Sequence, residues 1–376
     1  MDGFPAPHPD LFPRLARLKA AIALEKPDRT PVMSQSDTFC VNHLGASMAR
    51  FSTDPVYSAE VMTRSFAALP TFDAAEFASC VPDFVGAILM SRMLVAGRDL
   101  EEGRPYMVDE AERLTADDYD RIVATGWRPF FAAYCREKLG LDLAEYMPRL
   151  MAGAAVGARL ATAKGLPVFT LAVNGAIPLE PLSGGRSMGK FMRDLFKTPD
   201  RVQAAMDAML PEMIEEVREV LAFLPVKPLT VFLGVGRGSS GFLSPRLWER
   251  FVWPYLKAMI DAIHAEGLVA NLHFEGDWER DLHFFREFPK GSCVFACEHT
   301  TDIFKVRDVL GDRVCIKGDV PSPMLAFGTP DEVYAYSRKL IENMGDGFIL
   351  APACTMPPNA KLENVDAMLA AAREGK

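Results

Sequence analysis

Apolar residues in the C-terminal two thirds of the chain fall into short unbroken runs of strand length, separated by longer stretches with helical spacing. The runs are PVFTLAV (167–173), LTVFLGV (229–235), LVANLHF (268–274), CVFAC (293–297), RVCIKG (313–318) and GFILAP (347–352). Between them, Thr198-Pro199-Asp200, Ser244-Pro245 and Thr329-Pro330-Asp331-Glu332 predict helices over 199–222, 245–266 and 330–343. Each pairs a capping hydroxyl with a proline at the first helical position, where a missing N–H costs nothing. Near-continuous apolar strands alternating with helices predict a parallel sheet covered on both faces. Two weaker runs, TPVMSQ (30–35) and TFDAAEF (71–77), bring the count to eight, which fits a closed (β/α)8 TIM barrel better than an open sheet. Residues 78–165 read as helical and irregular, a lid or insertion on the loop face. With no linker-like composition shift to mark a boundary, 1–376 is expected to be a single barrel domain.

Several polar residues stand at or just past the ends of these runs: His273 with Glu275, Glu298, Asp319 and Cys354. A parallel barrel gathers such positions at one rim. His273 and Glu275 are two residues apart and share a face of a strand, so both can address one ion, with Glu298 and Cys354 delivered from neighbouring strands. Imidazole, carboxylate and thiolate together suit a catalytic Zn2+ with one position left open. Gly236-Arg237-Gly238-Ser239-Ser240-Gly241 matches the dinucleotide fingerprint, but the following helix opens at Ser244-Pro245, beyond the last glycine. The better reading is a loop that brings backbone close to a ligand. Asn174 and Arg237 are taken as substrate-binding residues.

Composition narrows the classes. The chain has 376 residues, 49% of them hydrophobic, and a formal charge of −9, with no basic stripe to track phosphates, so no nucleic-acid partner is expected. The opening MDGFPAPHPD lacks a basic region and an apolar core, and no run is long enough to span a bilayer, which predicts a cytoplasmic protein without a membrane partner. Seven widely spaced cysteines, mostly inside apolar runs, predict reduced thiols.

The stretches GFLSPRLWERFVWPYLKAMIDAIHAEGLVANLHFEGD, VRDVLGDRVCIKGDVPSPMLAFGTPDEV and GFILAPACTMPPNAKLENVDAM resemble the uroporphyrinogen decarboxylase superfamily, as do KPDRTPVM and FTLAVNGAIPLEPLSGGRSMGKFMRDLFKTPDRV. The resemblance covers most of 15–45 and 165–370 and implies a (β/α)8 barrel. Porphyrinogen decarboxylases carry an arginine-rich N-terminal segment, whereas TPVMSQSDTFCVNHLG has no arginine between Arg29 and Arg50. The zinc methyltransferases of corrinoid systems instead carry H-x-C-G and a later cysteine. In that pattern His273 holds the histidine position, Glu275 replaces the cysteine, Gly276 is kept and Cys354 is the later cysteine, while Glu298 takes the place of an exchangeable carboxylate ligand.

The resemblance therefore implies zinc held by His273, Cys354 and Glu275 or Glu298, with the remaining Glu or Asp319 acting on substrate or proton. It also implies a corrinoid (cobalamin) protein as partner. Carboxylate in place of thiolate hardens the ion and suits an oxygen leaving group, so a small methylated substrate of the aryl methyl ether type is expected. The alternative is a metal-free decarboxylase or lyase of the same fold, with Arg237 and Lys317 binding a substrate carboxylate.

Overall fold

In the structure, a computed structural model, residues 8–77, 79–171, 175–223 and 228–375 are described. Eight parallel strands form the barrel wall: β1 Met33–Ser34, β2 Ala74–Ala75, β3 Thr170–Leu171, β4 Thr230–Val235, β5 Val269–Phe274, β6 Cys293–Cys297, β7 Cys315–Val320 and β8 Phe348–Pro352. Strands β3 to β8 pair in sequence order and β1 pairs with β2. Single bridges close the ring, Ala75 to Val168 joining β2 to β3 and Val32 to Leu350 joining β1 to β8. All eight runs anticipated from sequence are barrel strands, and the fold is the (β/α)8 TIM barrel.

Side-chain parity sorts the interior into layers. Met33, Ala74, Phe169, Val294, Cys315 and Ile349 pack as one apolar cluster with Leu18, Ala21 and Ile22 of the helix Leu11–Ile22, which seals that end of the barrel. Above this floor lies a polar layer. The Lys317 ammonium donates to Glu76 Oε2 at 2.6 Å and the Asn271 amide donates to Glu76 Oε1; all three residues are buried. The outward residues of the same strands, such as Val231, Leu233, Leu272, Phe274 and Phe295, join the main core under the surrounding helices.

The helices begin largely where expected. Thr329 forms a capping box with Glu332 at the start of Pro330–Asn343, and a helix runs over Pro199–Phe223. The expected helix over 245–266 is two helices, Pro245–Phe251 and Trp253–Ala265, and the Ser244 hydroxyl makes no capping bond; Pro245 opens the first and Pro254, second in the other, supplies the stop and restart. The segment after β2 is mostly helical, with Pro82–Ile88, Asp117–Thr125, Trp127–Tyr134 and Leu143–Ala163 and a short antiparallel ribbon of Arg92–Leu94 with Met107–Asp109. It covers the loop face, as anticipated. All seven cysteines are free thiols. Among the described residues no helix is long and apolar enough to cross a membrane.

Candidate metal centre and substrate cavity

Strand β5 carries Asn271 and His273 on its inner face, and Glu275 continues the same period of two past the strand end. The chain leaving β8 brings Cys354 to this point from three strands away. His273 Nε2 lies 3.7 Å from Cys354 Sγ and 3.8 Å from Glu275 Oε1, and one donor atom of each residue lies within 4.8 Å of the others. Nitrogen and sulfur ligands at ordinary zinc bond lengths sit about 3.5 Å apart on a tetrahedron. The spacing and the mixed nitrogen, sulfur and oxygen donor set therefore fit one Zn2+ with a vertex to spare.

Burial opposes charge on His273, but the adjacent Cys354 and Glu275 outweigh it and raise its pKa to about 10. Glu275 is held below the usual carboxylate range, chiefly by its contact with His273. Without an ion the cluster thus holds itself together around a protonated imidazole, and a metal has to displace that proton.

Glu298 stands at the end of β6, as expected, but is not part of this cluster. Its Oε2 accepts the Gly276 N–H at 2.6 Å, at a residue whose φ of +79° suits glycine. Its carboxylate faces the same cavity. Asp319 lies apart from the cavity: it is buried, accepts a bond from the Tyr336 hydroxyl at 2.8 Å and pairs with His299 Nδ1 at 3.1 Å. Burial raises its pKa. Arg237 lines the cavity, although its guanidinium is engaged by the Ser183 carbonyl at 2.9 Å and Glu110 at 3.5 Å. Asn174 lies outside the described residues.

The three clustered residues open into a cavity of about 1060 Å3, walled on one side by the barrel rim and on the other by the lid. Phe84, Ile88 and Leu89 of the lid and Phe77 and Phe232 of the barrel give it apolar walls, and Gly236 of the glycine-rich loop forms part of its rim. A side chain at Gly236 would meet Glu275 Oε2 at 3.1 Å and Glu180 Oε2 at 3.9 Å, so the loop does bring backbone against the site's polar groups.

Three cavity residues were not found from sequence. Glu180, buried in the helix Leu179–Arg186, accepts the Arg237 backbone N–H at 2.9 Å, and burial raises its pKa to about 7. Asp37 caps the helix Thr38–Leu44 and accepts a bond from the hydroxyl of the lid residue Tyr106 at 2.5 Å. Glu180 could have been suspected as a lone carboxylate in the otherwise apolar, glycine-rich stretch IPLEPLSGG; Tyr106 gave no signal.

The family model for uroporphyrinogen decarboxylase (URO-D) matches residues 182–375, half of the chain. The chain belongs to the uroporphyrinogen decarboxylase family. Within that family it is 30% identical to a uroporphyrinogen decarboxylase of Chlorobium luteolum over 104 residues, 27% of this chain and 29% of that protein. It is 26% identical to the methylcobamide:CoM methyltransferase MtaA of Methanosarcina barkeri over 255 residues, 60% of this chain and 69% of that protein. Among solved structures, a methyltransferase from Methanosarcina mazei superposes with a TM-score of 0.64 at 21% identity, covering 95% of this chain and 97% of that one; at this identity the likeness speaks for the barrel and its lid.

Proposed function

We propose that this member of the uroporphyrinogen decarboxylase family is a zinc-dependent methyltransferase that moves a methyl group from a small O-methylated molecule, an aryl methyl ether, to the cobalt of a separate corrinoid protein. The observation that carries this reading is the meeting of His273, Glu275 and Cys354 at the inner end of a large apolar cavity. Bound there, zinc supplies Lewis acidity toward the oxygen that the methyl group leaves.

The chain's own residues do the rest. His273, Cys354 and Glu275 fix the ion's position, and the aromatic walls hold a ring against it and exclude water. Glu298, kept out of the cluster by the Gly276 amide, is available to orient the donor or to hold a proton at its free oxygen. The relative MtaA, a methylcobamide:CoM methyltransferase by name, supports the corrinoid partner.

The metal-free decarboxylase reading loses its substrate ligands. Lys317 is spent on the buried Glu76 and lies in the layer beneath the cavity floor, and Arg237 is engaged by Ser183 and Glu110. Elemental analysis of the purified chain, together with methyl transfer from methoxylated aromatics to a reduced corrinoid acceptor, tests the proposal. About one zinc per chain and formation of methylcobalt are expected; a metal-free protein, or a zinc protein inert toward every methyl ether offered, would refute it.

A further inference from the structure

The cavity has the wrong charge for an acid. Its wall contains the carboxylates of Asp37, Glu110, Glu180, Glu275 and Glu298, with Glu216 and Glu219 further along, against, among the described residues, the guanidinium groups of Arg128 and Arg237. Arg128 is bonded to Glu219 at 3.0 Å, with Glu216 and Glu212 beside it, so its charge is matched within the protein, although its Nε and Nη2 are buried without a hydrogen-bond partner among the described residues. Arg237 is engaged as described. Zinc at His273, Glu275 and Cys354 would cancel the two negative charges of its own ligands and leave the others as they are.

Two carboxylates then stand out. Asp37 and Glu180 are 7% and 3% exposed, and among the described residues neither forms an ion pair. Among the described residues Asp37 is satisfied by neutral donors, the Thr38 N–H and hydroxyl, the Cys80 thiol and the Tyr106 hydroxyl. Glu180 takes the Arg237 backbone N–H, and the positive charge of Arg237 offsets its own only in part, since burial still raises its pKa. Buried carboxylates are ordinarily matched by a cation, because removing charge from water is costly unless an opposite charge replaces it. Here both border a cavity large enough for a ligand, whose lining also includes the aromatic residues Phe77, Phe84 and Phe232.

We infer that the methyl donor carries a positive charge: it is a methoxylated aromatic amine, whose ammonium group supplies Asp37 and Glu180 with the ion-pair partner that neither has among the described residues. This inference rests on the methyltransferase reading for the chemistry and on the cavity's charge for the selectivity. Tyr106 adds a neutral contact. Its hydroxyl proton is committed to Asp37, so its oxygen is left to accept from an N–H of the ligand. As Tyr106 belongs to the lid, the same pair ties lid to barrel over the ligand.

The test uses the full zinc-loaded chain and three probes of one shape, 4-methoxyphenethylamine, 2-(4-methoxyphenyl)ethanol and 4-methoxyphenylacetate. Binding is measured by calorimetry and methyl transfer with a reduced corrinoid acceptor. The amine is expected to bind about tenfold or more tightly than the acid, with the alcohol between, and added salt should narrow the gap. In the double variant Asp37→Asn/Glu180→Gln, checked for folding by its thermal transition and for zinc content, the ratio should fall toward one. If that variant does not fold, the wild-type ranking and its salt dependence decide. Equal affinities, tighter binding of the acid, or an undiminished ratio in a folded double variant would overturn the inference. Methyl transfer from the alcohol without charge preference would sink the charge argument alone. Charge preference without methyl transfer from any probe would sink the methyltransferase reading alone.

Discussion

Removing the Glu76 carboxylate would strand a charge in the middle of the barrel. Glu76 and Lys317 are 1% and 5% exposed and bonded at 2.6 Å, and Glu76 also receives the Asn271 amide. In Glu76→Ala the Lys317 ammonium keeps its place among Phe169 and the strand backbones with nothing to neutralise it. Breaking a buried pair in this way costs about 3–5 kcal/mol. The orphaned Asn271 amide adds about 1 kcal/mol. With an unfolding entropy of about 2.1 cal/mol/K per residue, a loss of about 4–6 kcal/mol lowers the melting temperature by about 5–8 °C for this chain. Scanning calorimetry of Glu76→Ala and of the apolar pair Glu76→Leu/Lys317→Met measures this directly. The double variant should recover most of the loss, because two well-packed apolar side chains have no charge to bury. A single variant that loses under about 1 kcal/mol, or a double variant as damaged as the single, would refute the claim that Lys317 is structural and would return it to the substrate-binding candidates.

Three further outcomes are expected. Cys354→Ala should lose zinc at concentrations that saturate the wild type, read by metal analysis after dialysis, while its circular dichroism stays unchanged; full retention would remove Cys354 from the centre. The His273 pKa is raised to about 10, so its contribution to the metal-free fold is complete below about pH 6.5 and fades as pH climbs through 10. The same proton competes with zinc, so apparent affinity should rise by about a factor of ten or more per pH unit from 7 to 9, and a flat profile would contradict the contact with Cys354 and Glu275. Glu180 runs in the same direction at lower pH: an acid lifted to about 7 by burial destabilises the fold as pH rises from 4.5 through 7, so Glu180→Gln should gain stability over wild type at pH 8 and none at pH 4 in urea melts.

Much of this architecture was legible because the barrel imposes simple periods. Even β1 and β2, two residues long each, were marked by TPVMSQ and TFDAAEF, since their inner residues Met33 and Ala74 belong to the apolar floor of the barrel. His273 and Glu275 followed from the period of two, and Cys354 from its place past β8. Strand ends, however, fix only a neighbourhood. Glu298 and Asp319 stand where expected, yet a loop amide holds one out of the cluster and Tyr336 with His299 hold the other outside the cavity, and such partners come from loop conformation and from a helix 17 residues on. Asp37, Tyr106 and Glu180 escaped for the same reason: a cap, a lid and a buried helix carry no strand-end signature.

Closure of the ring has a consequence for the order of events during synthesis. The wall is completed only where Val32 meets Leu350, and Cys354 follows four residues later. A chain growing from its N-terminus therefore exposes His273 and Glu275 well before the strand that closes the wall exists, and the third side chain arrives with closure itself. Of the three side chains proposed to hold the metal, a half-made protein has two. If the proposed site holds, tight capture of the ion would report a finished barrel.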